Sequence, residues 1–315
     1  MSFDMLLGNE QLKENLIRSL NNGHISHFYL ISGPEGSGKH TLARLLAAAI
    51  LCREGKKPCL SCLPCRKVMD GNHPDFITVE DPDHKNVAVK LVREYRDDMF
   101  IRPNESDHKI YLFPQELGIE GQNALLKILE EPPSYGVFIL LTDNPEKLLP
   151  TVRSRCTELS LRPLSSKLLR SALKKEFPDA TDEDMEAAIF RSGGFLGQAL
   201  SLLRTGTAFA PQTEAFLQAF SQKSNLLLTQ TLAPMEKWKR DQLIPMLQQW
   251  VSLLESALAC RAGAAAAGTA ARELAAARSP MELMAATQKL QKAIEYAQSN
   301  VSPAAVCGWL AWELR

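Results

Sequence analysis

Four short runs of β-forming apolar residues punctuate the first 142 positions: HFYLIS at 27–32, DFITV at 75–79, KIYLF at 109–113 and GVFILLT at 136–142. Helical stretches lie between them. TLARLLAAAIL (41–51) combines strong helix formers with no Gly or Pro. GQNALLKILEE (121–131) has the same character and is closed by Pro132 and Pro133, which cannot continue a helix. Strands alternating with helices predict an α/β domain with a largely parallel sheet, ending near Pro163 after CTELSL at 156–161.

Beyond Pro163 the strand pattern stops. SSKLLRSALKKEF (165–177) predicts a helix ending before Pro178. Thr181, followed by Asp182 and Asp184, caps another helix that Gly193-Gly194 terminates. A loop rich in Thr, Gly and Pro (205–213) leads into an all-helical C-terminal region. There, Ser279-Pro280-Met281-Glu282 is a capping box with Pro at the first helical position. Leu283, Thr287, Leu290, Ile294 and Ala297 then recur along one face. The Ala-rich tract 262–277 fits either close packing or a loosely ordered turn. Three segments are expected: an α/β domain (1–163), a small helical domain (164–207) and an all-helical domain (208–315).

A length of 315 residues agrees with two or three domains, and 45% hydrophobic with 23% charged residues is the composition of a soluble globular protein. Lys+Arg and Asp+Glu both total 36, so no global charge footprint points to nucleic acid or an anionic membrane. Neither a cationic n-region followed by an apolar stretch nor an apolar run of about 18 residues is present. The expected location is cytoplasmic, without membrane contact.

The segment GPEGSGKHT (33–41) follows the first strand and opens the first α/β helix, the context a phosphate-binding loop requires. Gly33, Gly38 and Lys39 fit G-x-x-x-x-G-K-[ST], but His40 stands where a hydroxyl should meet Mg²⁺, and Thr41 comes one residue late. An ATPase also needs acids at the end of a neighbouring strand, and KIYLF is followed by Pro114 and Gln115. The main chain of 33–39 and the Lys39 ammonium are still suited to cradling phosphates. Gly33, Gly36, Gly38, Lys39 and Thr41 are therefore the candidate residues for binding ATP or ADP, with hydrolysis not expected. The competing reading is an active ATPase in which Thr41 and Glu116 take over the displaced roles.

Four of the seven cysteines cluster as C-x6-C-x2-C-x2-C: Cys52, Cys59, Cys62 and Cys65. Four thiolates so spaced can surround Zn²⁺ tetrahedrally in a closed, structural site. His73 is an alternative to Cys52 as a ligand. A redox C-x-x-C is a further alternative, against which the overlapping knuckles count.

NALLKILEEPP (123–133) and SRC (154–156), with the cysteine module and HPDF (73–76), resemble the bacterial clamp-loader subunits of DNA polymerase III, the gamma/tau motor subunit and its delta-prime sister. The resemblance spans residues 1 to about 205. It implies an AAA+ P-loop domain with an inserted zinc module at about 52–65, a helical lid and a C-terminal helical collar that holds a five-subunit ring. The implied partners are gamma/tau and delta subunits and, through the assembled complex, the sliding clamp and primer-template DNA. Departures at His40, at Pro114-Gln115 and at Gly197, where the family's lid arginine falls, favour the non-hydrolysing delta-prime branch over a gamma/tau-type ATPase. In the family, the arginine at Arg155 is a finger that reaches in trans to the ATP of a neighbouring subunit. A third reading, a zinc-dependent nucleic-acid-binding module, is weakened by zero net charge and by the lack of a basic run interleaved with aromatics.

Overall fold

The apolar runs of the first half become strands of one parallel sheet in the computed structural model, which describes residues 3–55, 57–205, 209–263 and 268–314. These strands are β1 (Phe28–Ser32), β2 (Phe76–Thr78), β3 (Lys109–Phe113), β4 (Gly136–Thr142) and β5 (Thr157–Ser160), in the spatial order β2-β3-β4-β1-β5. β1, β3 and β4 are buried at every position, which is why they read as continuous apolar runs rather than alternating ones.

Alternation along each strand still sorts side chains between two cores. Tyr29 and Ile31 face the core built with α1 (Glu10–Asn21), α2 (Lys39–Leu51) and α3 (Leu63–Met69), through Leu16, Leu46 and Val68. Phe28 and Leu30 face the core built with α4 (Val89–Asp98) and α5 (Ile119–Glu130), through Val92, Leu125 and Ile128. Short α6 (Pro150–Arg153) leads into β5. Because all pairings are parallel, the loops leaving β1, β3 and β4 gather at one edge of the sheet, the usual place for a ligand in an open α/β domain.

Internal packing divides the chain into two units, Met1–Ala172 with Gly194–Gln198, and Leu173–Gly193 with Ala199–Arg315. Two helices are shared between them, α7 (Ser166–Glu176) and α9 (Leu196–Thr205). In the second unit, α8 (Asp182–Arg191) starts as expected, with Thr181 accepting a hydrogen bond from the Asp184 amide at 3.1 Å. It is followed by Gly193 and Gly194 in the left-handed region, at φ 58 and 90. The rest comprises α10 (Pro211–Ser221), α11 (Asn225–Leu232), α12 (Arg240–Arg261), α13 (Thr269–Ala277), α14 (Pro280–Gln298) and α15 (Pro303–Glu313). Trp250 of α12 stacks on Phe216 of α10 at 4.1 Å and donates its indole N–H to Thr213. The capping box forms at Ser279, and Leu283, Thr287, Leu290 and Ala297 are buried on α14.

Two helices form in stretches whose sequence reads as a loop or leaves its order open. Pro211 opens α10 within the expected loop 205–213, because its fixed φ suits the first helical position. In the Ala-rich tract, 269–277 is helical. Residues 206–208 and 264–267 lie outside the described residues. Among the described residues, no helix is long and apolar enough to cross a membrane.

Candidate nucleotide site and metal centre

Lys39 begins α2 directly after the glycine loop, so the loop joins the C-terminal end of β1 to a helix N-terminus. Gly36 and Gly38 take positive φ, 73 and 98, which L side chains rarely adopt. The loop is tied to the sheet by the Gly33 amide, which donates to Thr142 O on β4. Among the described residues, the amides of Gly36 and Gly38 donate to no main-chain carbonyl. Lys39 Nζ donates to Gly33 O and Pro34 O and meets Asp143 Oδ1 at 2.5 Å. His40 is exposed on the first turn of α2. Partial burial of its ring, and then the charges of Lys39 and Arg44, hold its pKa below the ordinary histidine value. It is therefore neutral at pH 7 and offers no hydroxyl in place of the missing one.

Where an ATPase carries its acid after β3, Gln115 has another task. Its Oε1 accepts from the Asp81 amide at 2.7 Å, and its Nε2 donates to Asp81 O and His84 O, both at 2.9 Å. Gln115 thus pins the 81–84 loop. That loop is in turn fixed by Asp81, whose carboxylate accepts from the Ala88 amide and pairs with His84. Glu116, the alternative base, is engaged by Lys147 at 2.8 and 3.0 Å.

Arg155 lies between α6 and β5. Its guanidinium donates to Thr151 O at 2.8 Å and to Glu130 Oε1, at the end of α5, at 2.9 Å. Neighbouring Arg153 pairs instead with Glu146 and Glu158.

The sulfur atoms of Cys52, Cys59, Cys62 and Cys65 all lie within 4.8 Å of one another. Tetrahedral Zn²⁺ with bonds of about 2.3 Å requires sulfurs roughly 3.8 Å apart. Cys52–Cys62 and Cys59–Cys65 are each 3.9 Å apart, so the residues fit the metal. Cys65 and Cys52 are buried against the α2 core, and the Cys62 amide donates to Cys59 Sγ at 3.2 Å. His73, the alternative ligand, lies outside this group: its Nδ1 accepts from the Asp75 amide and its Nε2 faces Ser106 Oγ.

Asp75, the third residue of HPDF, is fully buried, a role that no sequence pattern marks. Its carboxylate accepts from the amides of Asn104, Glu105 and Ser106 and from Asn104 Nδ2, fastening the 104–106 segment. That segment in turn holds the cysteine module: Glu105 pairs with Lys67 of α3, and its carbonyl accepts from Arg53. Burial alone pushes the Asp75 carboxyl pKa up, but the four hydrogen bonds outweigh it and leave the pKa below the usual value. A depressed folded pKa gives stability that is present above the unfolded value, about 4, and is lost as pH falls through the folded one. Asp75→Asn is expected to cost about 1–3 kcal/mol at pH 7, with the deficit shrinking below about pH 4. Urea denaturation at neutral and acid pH measures it, and a deficit independent of pH would assign the effect to packing instead.

A parallel α/β sheet with a glycine loop between its first strand and a helix is the strand-loop-helix architecture of the P-loop class. Residues 8–165 match the protein family described as "DNA polymerase III, delta subunit", and the chain belongs to that family. It is 34% identical over 210 residues to DNA polymerase III subunit gamma of Buchnera aphidicola subsp. Schizaphis graminum, covering 64% of this chain and 57% of that protein. It is 35% identical over 161 residues to subunit delta' of Bacillus subtilis, covering 50% and 49%. The chain thus spans about half the length of these relatives. A solved structure of a DNA polymerase III gamma subunit-related protein from Thermotoga maritima superposes with TM-score 0.44 and 16% identity, over 97% of this chain and 100% of that one.

Proposed function

We propose that this chain is a non-hydrolysing, delta-prime-type AAA+ subunit of a DNA polymerase III clamp loader, which helps assemble the ring and supplies Arg155 in trans to a neighbouring motor subunit. In this reading, 1–163 is the AAA+ domain with a structural Zn²⁺ on the four cysteines, 164–207 a lid and 208–315 a collar. Its partners are gamma/tau and delta subunits and, through them, the sliding clamp and primer-template DNA; it works in the cytoplasm.

One observation carries the non-hydrolysing assignment. The position that should hold the catalytic acid is Pro114-Gln115, and Gln115 spends both ends of its amide on the 81–84 loop. An amide cannot accept the proton of an attacking water, and loss of a positioned base costs about 10²–10⁴ in rate. A gamma/tau-type ATPase would need Glu116 as base, but Lys147 holds that carboxylate. Purified chain with Mg²⁺ and ATP is expected to show no turnover above a Lys39→Ala control. Turnover abolished by Lys39→Ala would return the chain to the gamma/tau class.

A further inference from the structure

The phosphate-loop lysine of this chain already has a counter-ion. Lys39 Nζ meets the Asp143 carboxylate at 2.5 Å, with the lysine side chain 10% exposed and the aspartate 61%. The topology brings the two residues side by side. β1 and β4 are parallel neighbours with Ser32 opposite Thr142, so the glycine loop after Ser32 and the residue after Thr142 leave the sheet side by side. Thr142 is buried and bonded to Asn144 in both directions, which fixes the turn that carries Asp143.

A second contact holds the rim of the loop. The Gly197 amide, in the first turn of α9, donates to Gly36 O at 2.9 Å. A Cβ on Gly197 would come within 2.6 Å of Gly36 Cα, and one on Gly36 within 2.5 Å of the Gln198 amide nitrogen. Backbone lies against backbone, so each glycine is required by the other.

In a working loop of this type, the lysine reaches the β- and γ-phosphates of the nucleotide. A carboxylate on that ammonium competes for the same charge-assisted hydrogen bonds and opposes a second anion at the same place. We propose that Asp143 is an internal counter-ion that holds the loop in a nucleotide-free state, with the Gly36–Gly197 contact fixing the loop around it. Binding of a nucleoside diphosphate or triphosphate is then a competition between phosphate and the chain's own carboxylate for Lys39. This rests on the reading of 33–39 as a phosphate cradle, and it gives Asp143 the part of a residue that sets the affinity of that cradle.

The test is calorimetric binding of ADP, with and without Mg²⁺, to the full chain and to three variants. Asp143→Asn keeps the size of the side chain and removes its charge, at a side chain that is itself 61% exposed. It is expected to bind ADP about tenfold or more tightly than wild type, the gain expected when a competing closed state is removed. Asp143→Asn combined with Lys39→Ala should lose that gain, and Asp143→Glu should behave as wild type. If wild type binds ADP, Asp143→Asn binds no better, and adding Lys39→Ala to Asp143→Asn abolishes binding, the counter-ion role is wrong while the cradle stands. If no variant binds ADP at millimolar concentration, the cradle reading itself fails and takes the inference with it.

Discussion

Replacing Arg155 by alanine is expected to leave the isolated chain as stable as before and to silence one nucleotide site of the assembled clamp loader. In the free chain the guanidinium is held by the Thr151 carbonyl and by Glu130, whose side chain is 55% exposed. An exposed pair of this kind contributes about 0–1 kcal/mol, so its loss moves the melting temperature little and its release to a neighbour costs little. A guanidinium placed on a transferring phosphoryl group is worth about 10³–10⁵ in rate, or roughly 4–7 kcal/mol of barrier. The two scales separate the finger role from a surface ion pair.

In a multi-site complex the steady-state rate need not collapse, because the other sites continue to turn over. The diagnostic measurement is therefore phosphate release in a single turnover by a complex reconstituted with gamma/tau and delta subunits. One site's share of the fast phase should vanish with Arg155→Ala. Arg153→Ala serves as the control, since Arg153 is already shared between Glu146 and Glu158 and is expected to leave the fast phase intact. A fast phase of unchanged amplitude in Arg155→Ala would refute the finger role.

Strands buried on both faces were legible in the sequence because burial on both sides writes an unbroken apolar run. KIYLF and GVFILLT match β3 and β4 residue for residue. The edge strand β5 is different: only Leu159 is buried in Thr157–Ser160, so its pattern marked where the domain ends rather than a strand. Helix α4 left no signal strong enough to read. Six of the ten residues in VKLVREYRDD are charged, only Val92 is buried, and Ala88 offers no capping side chain. The cysteine cluster was legible because its four residues lie close in sequence, and the structure brings all four together.

Partnerships across long separations were not legible. Lys39 and Asp143 are 104 positions apart, and they meet only because β4 inserts beside β1, an order that no local pattern encodes. The contact between Gly36 and Gly197 has the same character. Gly197 could be noticed as the place of a missing arginine, but that its main chain lies on the loop is a tertiary fact. Gln115 was legible as a lost base; what it does instead depends on the 81–84 loop folding back onto the end of β3.

Removing zinc is expected to have the largest effect on stability. Cys65 is fully buried and Cys52 nearly so, and both belong to the core formed by α2 and the sheet. Structural zinc sites contribute apparent binding free energies of about 10–16 kcal/mol in isolated peptide modules at neutral pH. Much less than that is expected to appear as lost stability here, because the apolar contacts of α2 remain when the metal leaves. A deficit of several kcal/mol is still comparable to the whole stability of an ordinary domain, about 5–15 kcal/mol. Cys65→Ser is therefore expected to lower the melting temperature of the full chain strongly, and a chelator should do the same to the wild type. In the variant, metal content should fall from one zinc per chain towards none. His73→Ala should keep its full zinc content, since that ring is bonded within the 73–106 network and not directed at the sulfurs. Metal analysis of purified chain, paired with thermal unfolding with and without chelator, decides the matter. Purified wild-type chain that carries no zinc and melts identically with chelator would leave the four cysteines as packing alone.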